Sequence, residues 1–211
     1  MRVLVGCEIS GRVRDALCRL GHDAWSVDLD GPAQEPELFE RQQFPDRHIQ
    51  GDVFEVIDRG GWDMILAFPD CTYLSSSGLH WNGRVPGRAA KTEMAVTFAR
   101  MLIDTPAAPR VAVENPIGCL STRIRKPDQI IQPYHFGEDA SKATCLWLKG
   151  LPELAGTEYV PPRIVNGKKR WANQTDSGQN RLGPSPKRAR ERGLTYPGIS
   201  DAMALQWGGA P

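Results

Sequence analysis

The sequence predicts an α/β protein built on a mostly parallel central sheet with helices on both faces. Three observations lead there. Short apolar runs alternate with helical patterns through the first half of the chain, the mark of βαβ units whose strands are buried on both sides. The first run opens into the turn GCEISG, where Gly6 and Gly11 bracket the junction to a helix. Each run ends on acidic or reactive side chains, at the strand ends where an open parallel sheet presents its ligand site.

In order, Arg2 to Val5 forms the first strand and Gly11 to Leu20 its helix, stopped by Gly21. Ala24 to Val27 is the second strand, ended by Asp28, Asp30 and the turn at Gly31. After a polar stretch, His48 to Val53 gives a short third strand, and Trp62 to Phe68 a fourth. From Arg88 to Asp104, the residues Ala90, Met94, Phe98, Met101 and Leu102 recur at helical spacing and predict one apolar face turned to the sheet. Arg110 to Val113 is the fifth strand. Beyond it, KPDQIIQPYHFG and KATCLWLKGLPEL are punctuated by proline and glycine, which predicts short strands and turns rather than a second packed domain. A last amphipathic helix, at about 198–207, carries Ile199, Met203 and Trp207 as core residues. The expected organisation is one domain over 1–211 with a basic arm at about 161–195, and there is no internal repeat.

Composition narrows the function classes. With 40% apolar residues in a chain of 211, one sizeable core can form. No apolar run reaches the roughly 18 residues of a membrane span, and MRVLVGCEIS lacks a signal-peptide pattern. The expectation is a cytoplasmic protein, in the host cytoplasm if phage-encoded. Five cysteines are scattered with no CxxC pair, which argues against structural zinc and a disulfide framework, and no metal is expected. His22, His48, His80 and His135 form no triad-like or metal-like set. The net charge of +1 conceals a basic segment: Arg163, Lys168, Lys169, Arg170, Arg181, Lys187, Arg188, Arg190 and Arg192 are opposed only by Asp176 and Glu191. Such a run either solvates a face or neutralises phosphates, and the nucleic-acid reading is favoured here.

The strand ends suggest an adenosine-containing cofactor. Gly6, Cys7, Glu8, Ser10 and Gly11 make the first turn, where backbone amides approach an anionic group. Asp28, followed by Leu29, ends the second strand, where a carboxylate accepts both hydroxyls of a ribose. Asp52 and Val53 end the third, within reach of an adenine amine. Singly, each glycine suits any βα turn and each aspartate can cap a helix. Because GCEISG is not GxGxxG, the turn argues against a pyrophosphate-bridged dinucleotide and for S-adenosyl-L-methionine.

The fourth strand runs into AFPDCTYL, the fifth into VENP, and TRIR follows shortly after. That order resembles the DNA cytosine-5 methyltransferase family, whose motifs read PPC, ENV and a spaced arginine pair. It is more specifically similar to small phage-type members, sharing stretches like ENPIG, KPDQIIQPYHFGE, WLKGLPEL and TYPGISDAMALQWG. The resemblance implies a Rossmann-like S-adenosylmethionine-dependent methyltransferase fold, and double- or single-stranded DNA as partner. It also implies a cytosine flipped out of its stack. Carbon 5 of cytosine becomes nucleophilic only after a thiolate adds to carbon 6, and Cys71 is placed to supply it, with Pro69, two residues earlier, on the cofactor side. Glu114 would act as the hydrogen-bonding acid, with Asn115 fixing its turn, and Arg123 and Arg125, two apart in an extended segment, would project together to base and phosphate. Tyr73, Trp81 and Trp171 offer stacking surfaces, and Lys168, Lys169 and Arg170 offer backbone contacts.

One position departs from the family: Asp70 stands where the second proline is expected. A carboxylate about 4 Å from a thiolate opposes it by up to roughly 4 kcal/mol at an effective dielectric of about 20. Asp70 therefore points away, is neutralised by Arg123 or Arg125, contacts substrate, or marks lost activity. Between Arg125 and Arg163 there is no room for a large target-recognition domain, so sequence specificity should be short or absent. Two alternatives stay open: modification of a pyrimidine nucleotide or a modified pyrimidine in phage DNA, and a catalytically silent DNA-binding or regulatory homologue.

Overall fold

The structure, a computed structural model, describes residues 1–33, 42–185 and 188–209. Lys187 of the basic run lies outside them. The strands are β1 (Arg2–Gly6), β2 (Asp23–Asp28), β3 (His48–Gln50), β4 (Met64–Ala67), β5 (Arg110–Pro116), β6 (Gln129–Ile131) and β7 (Thr144–Lys149). They form one sheet in the order β3-β2-β1-β4-β5-β7-β6. The first five run parallel, and β7 runs antiparallel to both its neighbours. This is the Rossmann-like architecture, a mostly parallel sheet with helices on both faces, that the sequence predicts.

The covering helices follow from the pleat. Val3 and Val5 of β1, with Met64 and Leu66 of β4, pack against α1 (Arg12–Arg19) and α7 (Pro197–Met203). Leu4, Ile65 and Ala67 face the opposite side, against α2 (Val53–Ile57) and α4 (Arg88–Ile103). Strand residues alternate between the two faces, so a strand covered on both reads as a continuous apolar run. Trp207, in the π-turn Ala204–Gly208 after α7, is buried and donates from Nε1 to the Pro152 carbonyl at 2.9 Å.

Two expected details are corrected. The third strand stops at Gln50, because the Asp52 carboxylate accepts from the Phe54 amide at 2.7 Å and starts α2 instead. On α4 the buried stripe is Thr92, Val96, Ala99, Leu102 and Ile103. Met94 and Met101 are 71% and 50% exposed, and of the expected face only Leu102 is buried, with Phe98 turned edge-on to Phe54 at 5.2 Å.

The remaining elements are α3 (Ser76–Leu79), α5 (Leu120–Arg123), the hairpin β8 (Arg163–Val165) and β9 (Lys168–Arg170), and α6 (Arg188–Gly193). Asn166 and Gly167 join β8 to β9 with φ of 49° and 73°, the two-residue left-handed turn that Asn-Gly favours. Part of the basic segment is thus an ordered hairpin.

The chain winds outward from β1 through β2 to β3, then crosses to β4 and winds the other way to β5. The loops after β1 and β4 leave in opposite senses, and a crevice opens between them.

Candidate functional site

A cleft of about 1230 Å³ occupies that crevice, bounded by Cys7, Glu8, Asp28 and Asp52 at one end and by Asp70, Cys71 and Glu114 at the other. A pocket for one small ligand typically measures ~300–1,000 Å³, so this one has room for two molecules side by side.

At the first end the backbone is tightly set. Cys7 holds a left-handed φ of 58°, and its amide donates to the Val27 carbonyl at 2.8 Å, tying the β1 turn to β2. A Cβ on Gly6 would lie 2.8 Å from Val53 Cγ2, so a side chain there would push α2 off the sheet. Gly11 takes a φ of +75° before α1. Gly6 and Gly11 shape this wall, while Cys7, Glu8, Ser10, Leu29, Val53 and Pro69 line it. Glu8 is buried and accepts from the Ser10 hydroxyl, while its Oε2 has no partner among the described residues. Burial pushes the Glu8 carboxyl above its usual range. Asp28 accepts from the Asp30 amide at 3.1 Å.

The electrostatics here are acidic. Burial, then Asp28, Asp52 and Asp70, push the Cys7 thiol up to about 12. Converging carboxylates repel a pyrophosphate and attract a cation. Asp28 and Asp52 line this end beside the apolar Val53 and Phe98, a lining that suits a cationic ligand carrying a ring system.

At the second end, the loop after β4 and the loop after β5 are stitched together. The Asn115 side-chain amide donates to the Pro69 carbonyl at 2.8 Å, the Ser76 amide to Ile117 at 3.1 Å, and the Cys119 amide to Leu74 at 2.9 Å. Ser75 and Gly118 form a bridge, and any Cβ on Gly118 would overlap the Leu74 carbonyl. Arg88 adds a clamp, donating from Nη2 to the Thr72 carbonyl at 2.9 Å while lying 4.7 Å from the Tyr73 ring centroid. This stitching fixes Cys71 relative to Glu114.

Cys71 is half-buried and reaches the cleft. Burial, then Asp70 and Glu114, push its thiol up, while Lys142 and Arg192 pull it down. Burial also raises Glu114, against Lys142 and a hydrogen bond from Thr144. Asp70 does not meet either expected arginine. One of its oxygens accepts from the Thr72 amide at 2.9 Å and hydroxyl at 2.7 Å, so the aspartate closes the turn that a proline would otherwise stiffen.

Other expected residues lie elsewhere. Arg123, helical rather than extended, pairs with Glu93 at 2.5 Å, and Arg125 pairs with Asp128 at 2.7 Å; neither lines the cleft. Asn115 is 1% exposed and acts as a tie. Trp171 is 7% exposed and stacks on Tyr134 at 4.0 Å, so it is packing for the hairpin rather than an open platform. Tyr73 lies under Arg88, off the cleft, whereas Trp81 lines it. Lys168, Lys169 and Arg170 sit on β9, with Lys168 and Lys169 exposed. Sequence reasoning missed Lys142 and Arg88, both in the cleft wall, and read Arg190 and Arg192 only as part of a basic arm, whereas the segment from Arg190 to Tyr196 also lines the cleft. The one signal for Lys142 is its place just ahead of the TCLWL strand beside Glu114.

No protein-family model matches the chain, and no curated protein matches it. Among solved structures it is similar to one described as a DNA modification methyltransferase encoded within an E. coli prophage, with TM-score 0.45 and 15% identity over 78% of this chain and 53% of that one. It is likewise similar to the S. pombe Dnmt2 methyltransferase, with TM-score 0.45 and 15% identity over 72% and 50% of the two chains. For the Entamoeba histolytica methyltransferase EhMeth the values are 0.49 and 14%, over 75% and 57%. The chain spans about half the length of these structures.

Proposed function

We propose that this chain is an S-adenosylmethionine-dependent DNA methyltransferase that modifies carbon 5 of cytosine through a covalent bond to Cys71. One observation carries the reading: Cys71 and Glu114, on loops held together by hydrogen bonds, line the same cleft as Asp28 and Asp52. A cleft large enough for two ligands suits a cofactor beside an extruded base.

When bound, the cofactor supplies an electrophilic methyl group. The chain supplies the rest. Bonding of the Cys71 sulfur to carbon 6 pushes the ring electrons toward nitrogen 3 and leaves carbon 5 nucleophilic. Glu114, whose carboxyl burial favours in its protonated form, donates its hydrogen bond to nitrogen 3 as charge develops there. Once carbon 5 carries the methyl group, loss of its proton to water and departure of the sulfur as thiolate restore the aromatic ring. Extruding the base costs a few kcal/mol, which phosphate contacts from Lys168 and Lys169 on the exposed hairpin offset. An exposed basic hairpin that contacts phosphates rather than base edges gives little sequence specificity.

The test is a covalent trap. Purified protein with labelled S-adenosylmethionine and an oligonucleotide carrying 5-fluorocytosine is expected to give an SDS-resistant adduct that Cys71→Ser abolishes. The push of Asp70 on the thiol favours a second reading, a silent DNA-binding homologue. Intact cofactor binding with neither adduct nor label transfer establishes that reading and removes the first.

A further inference from the structure

The nucleophile's surroundings are unbalanced without a part of the chain that no motif marks. Asp70 on its own loop and Glu114 at the end of β5 oppose a thiolate at Cys71. Arg123 and Arg125 are committed to Glu93 and Asp128 outside the cleft. Lys142, in the loop before β7, and Arg192, in α6, line the cleft together with Cys71 and favour its thiolate. Cys7, across the cleft at the end of β1, feels Asp28, Asp52 and Asp70 but neither of these cations among its chief influences.

Arg192 belongs to a segment that crosses the cleft. Residues from Arg190 to Thr195 line it, running from the cofactor end, where Arg190 Nη2 lies 3.7 Å from Asp30, to the Cys71 end. The strap is fastened through its own carbonyls. Lys142 Nζ donates to Leu194 at 3.3 Å, and Arg12 Nη1 donates to Thr195 at 2.7 Å. Lys142 therefore does two things from one position: it faces the carboxylate side of the nucleophile and holds the segment that carries the second cation.

We propose that Lys142 and Arg192 are positioning residues for Cys71, with Lys142 latching the Arg188–Thr195 strap across the cleft and Arg192 riding on it to complete the nucleophile's electrostatic surroundings. This rests on the reading of Cys71 as the nucleophile. A thiol flanked by two carboxylates is a poor nucleophile at neutral pH, and matching cations restore its thiolate fraction. The basic segment thus serves the active centre as well as any phosphate.

The experiment follows alkylation of Cys71 by iodoacetamide across pH, resolved by site with mass spectrometry. Arg192 is exposed, so Arg192→Gln leaves the core intact. Arg192→Gln and Lys142→Met are each expected to move the Cys71 midpoint upward by about half to one pH unit, a roughly three- to tenfold slower reaction at neutral pH, with Lys142→Arg restoring it. Cys7 in the same samples should keep its profile. Amide hydrogen exchange in 188–195 separates the two roles: Lys142→Met and Arg12→Gln should speed it, and Arg192→Gln should not. Unchanged Cys71 profiles in both Lys142→Met and Arg192→Gln overturn the proposal. A shifted profile in a protein that forms no 5-fluorocytosine adduct upholds the strap's role while removing the methyltransferase reading, so the two failures are distinct.

Discussion

At the scale of single residues, the cleft concentrates carboxyl groups, and burial raises those of Glu8, Asp28 and Glu114. Glu8 is the clearest case, since its folded value lies above the unfolded one of about 4.3 and its Oε2 has no partner among the described residues. A carboxyl raised in this way contributes stability that is complete below the unfolded value and is lost as pH rises through the folded value. Glu8→Gln cannot ionise, so the stability difference between variant and wild type should grow in the variant's favour from about pH 4.3 upward and then level off. The plateau height is ~1.4 kcal/mol for every pH unit that separates the folded value from the unfolded one. Urea melts at a series of pH values measure it, and a difference that stays flat with pH removes the argument. Asp70 gives a second residue-scale prediction. Asp70→Asn keeps an oxygen for the Thr72 amide but removes the charge, so the Cys71 alkylation midpoint should fall while the fold is unchanged. A midpoint that stays put shows the aspartate to be electrostatically silent.

At the scale of elements, the proposed catalytic centre depends on two loops meeting without a gap. Gly118 is the closest point, because its missing side chain is what admits the Leu74 carbonyl. Gly118→Ala must separate the loops, breaking the Cys119-to-Leu74 and Ser76-to-Ile117 hydrogen bonds. The expected cost is about 2–4 kcal/mol of stability, with covalent-adduct formation impaired beyond what the loss of folded protein explains. A fully active, equally stable variant would show the stitching to be dispensable. Element boundaries also reveal how much is legible in the chain. The apolar runs mark β1, β2, β4 and β5 because each is buried on both faces. The limits of β3 are obscured because Asp52 serves as a helix cap, a role its neighbours do not announce. The α4 face misleads because Met94 and Met101 mimic a core stripe, while the buried stripe begins with a polar residue, Thr92, whose hydroxyl donates to the Tyr73 carbonyl at 3.1 Å.

At the scale of the whole molecule, strand order converts sequence order into a site. The motifs after β1, β2, β4 and β5 converge because the sheet winds outward in both senses from β1 and β4, and that much of the centre is readable from the chain. What is not readable depends on long-range packing. Lys142 gains its place from the antiparallel run of β7 beside β5, and Arg192 from a strap whose far end is held by α7 against α1. Neither relation leaves a local pattern. The same sheet carries a consequence at its margins. β3 and β6, its outermost strands, have three residues each, so neither edge offers a ladder long enough to recruit a strand from another molecule. Short borders of this kind guard a wide sheet against aggregation, leaving the crevice at the strand ends and the exposed β8–β9 hairpin as the faces turned to a partner.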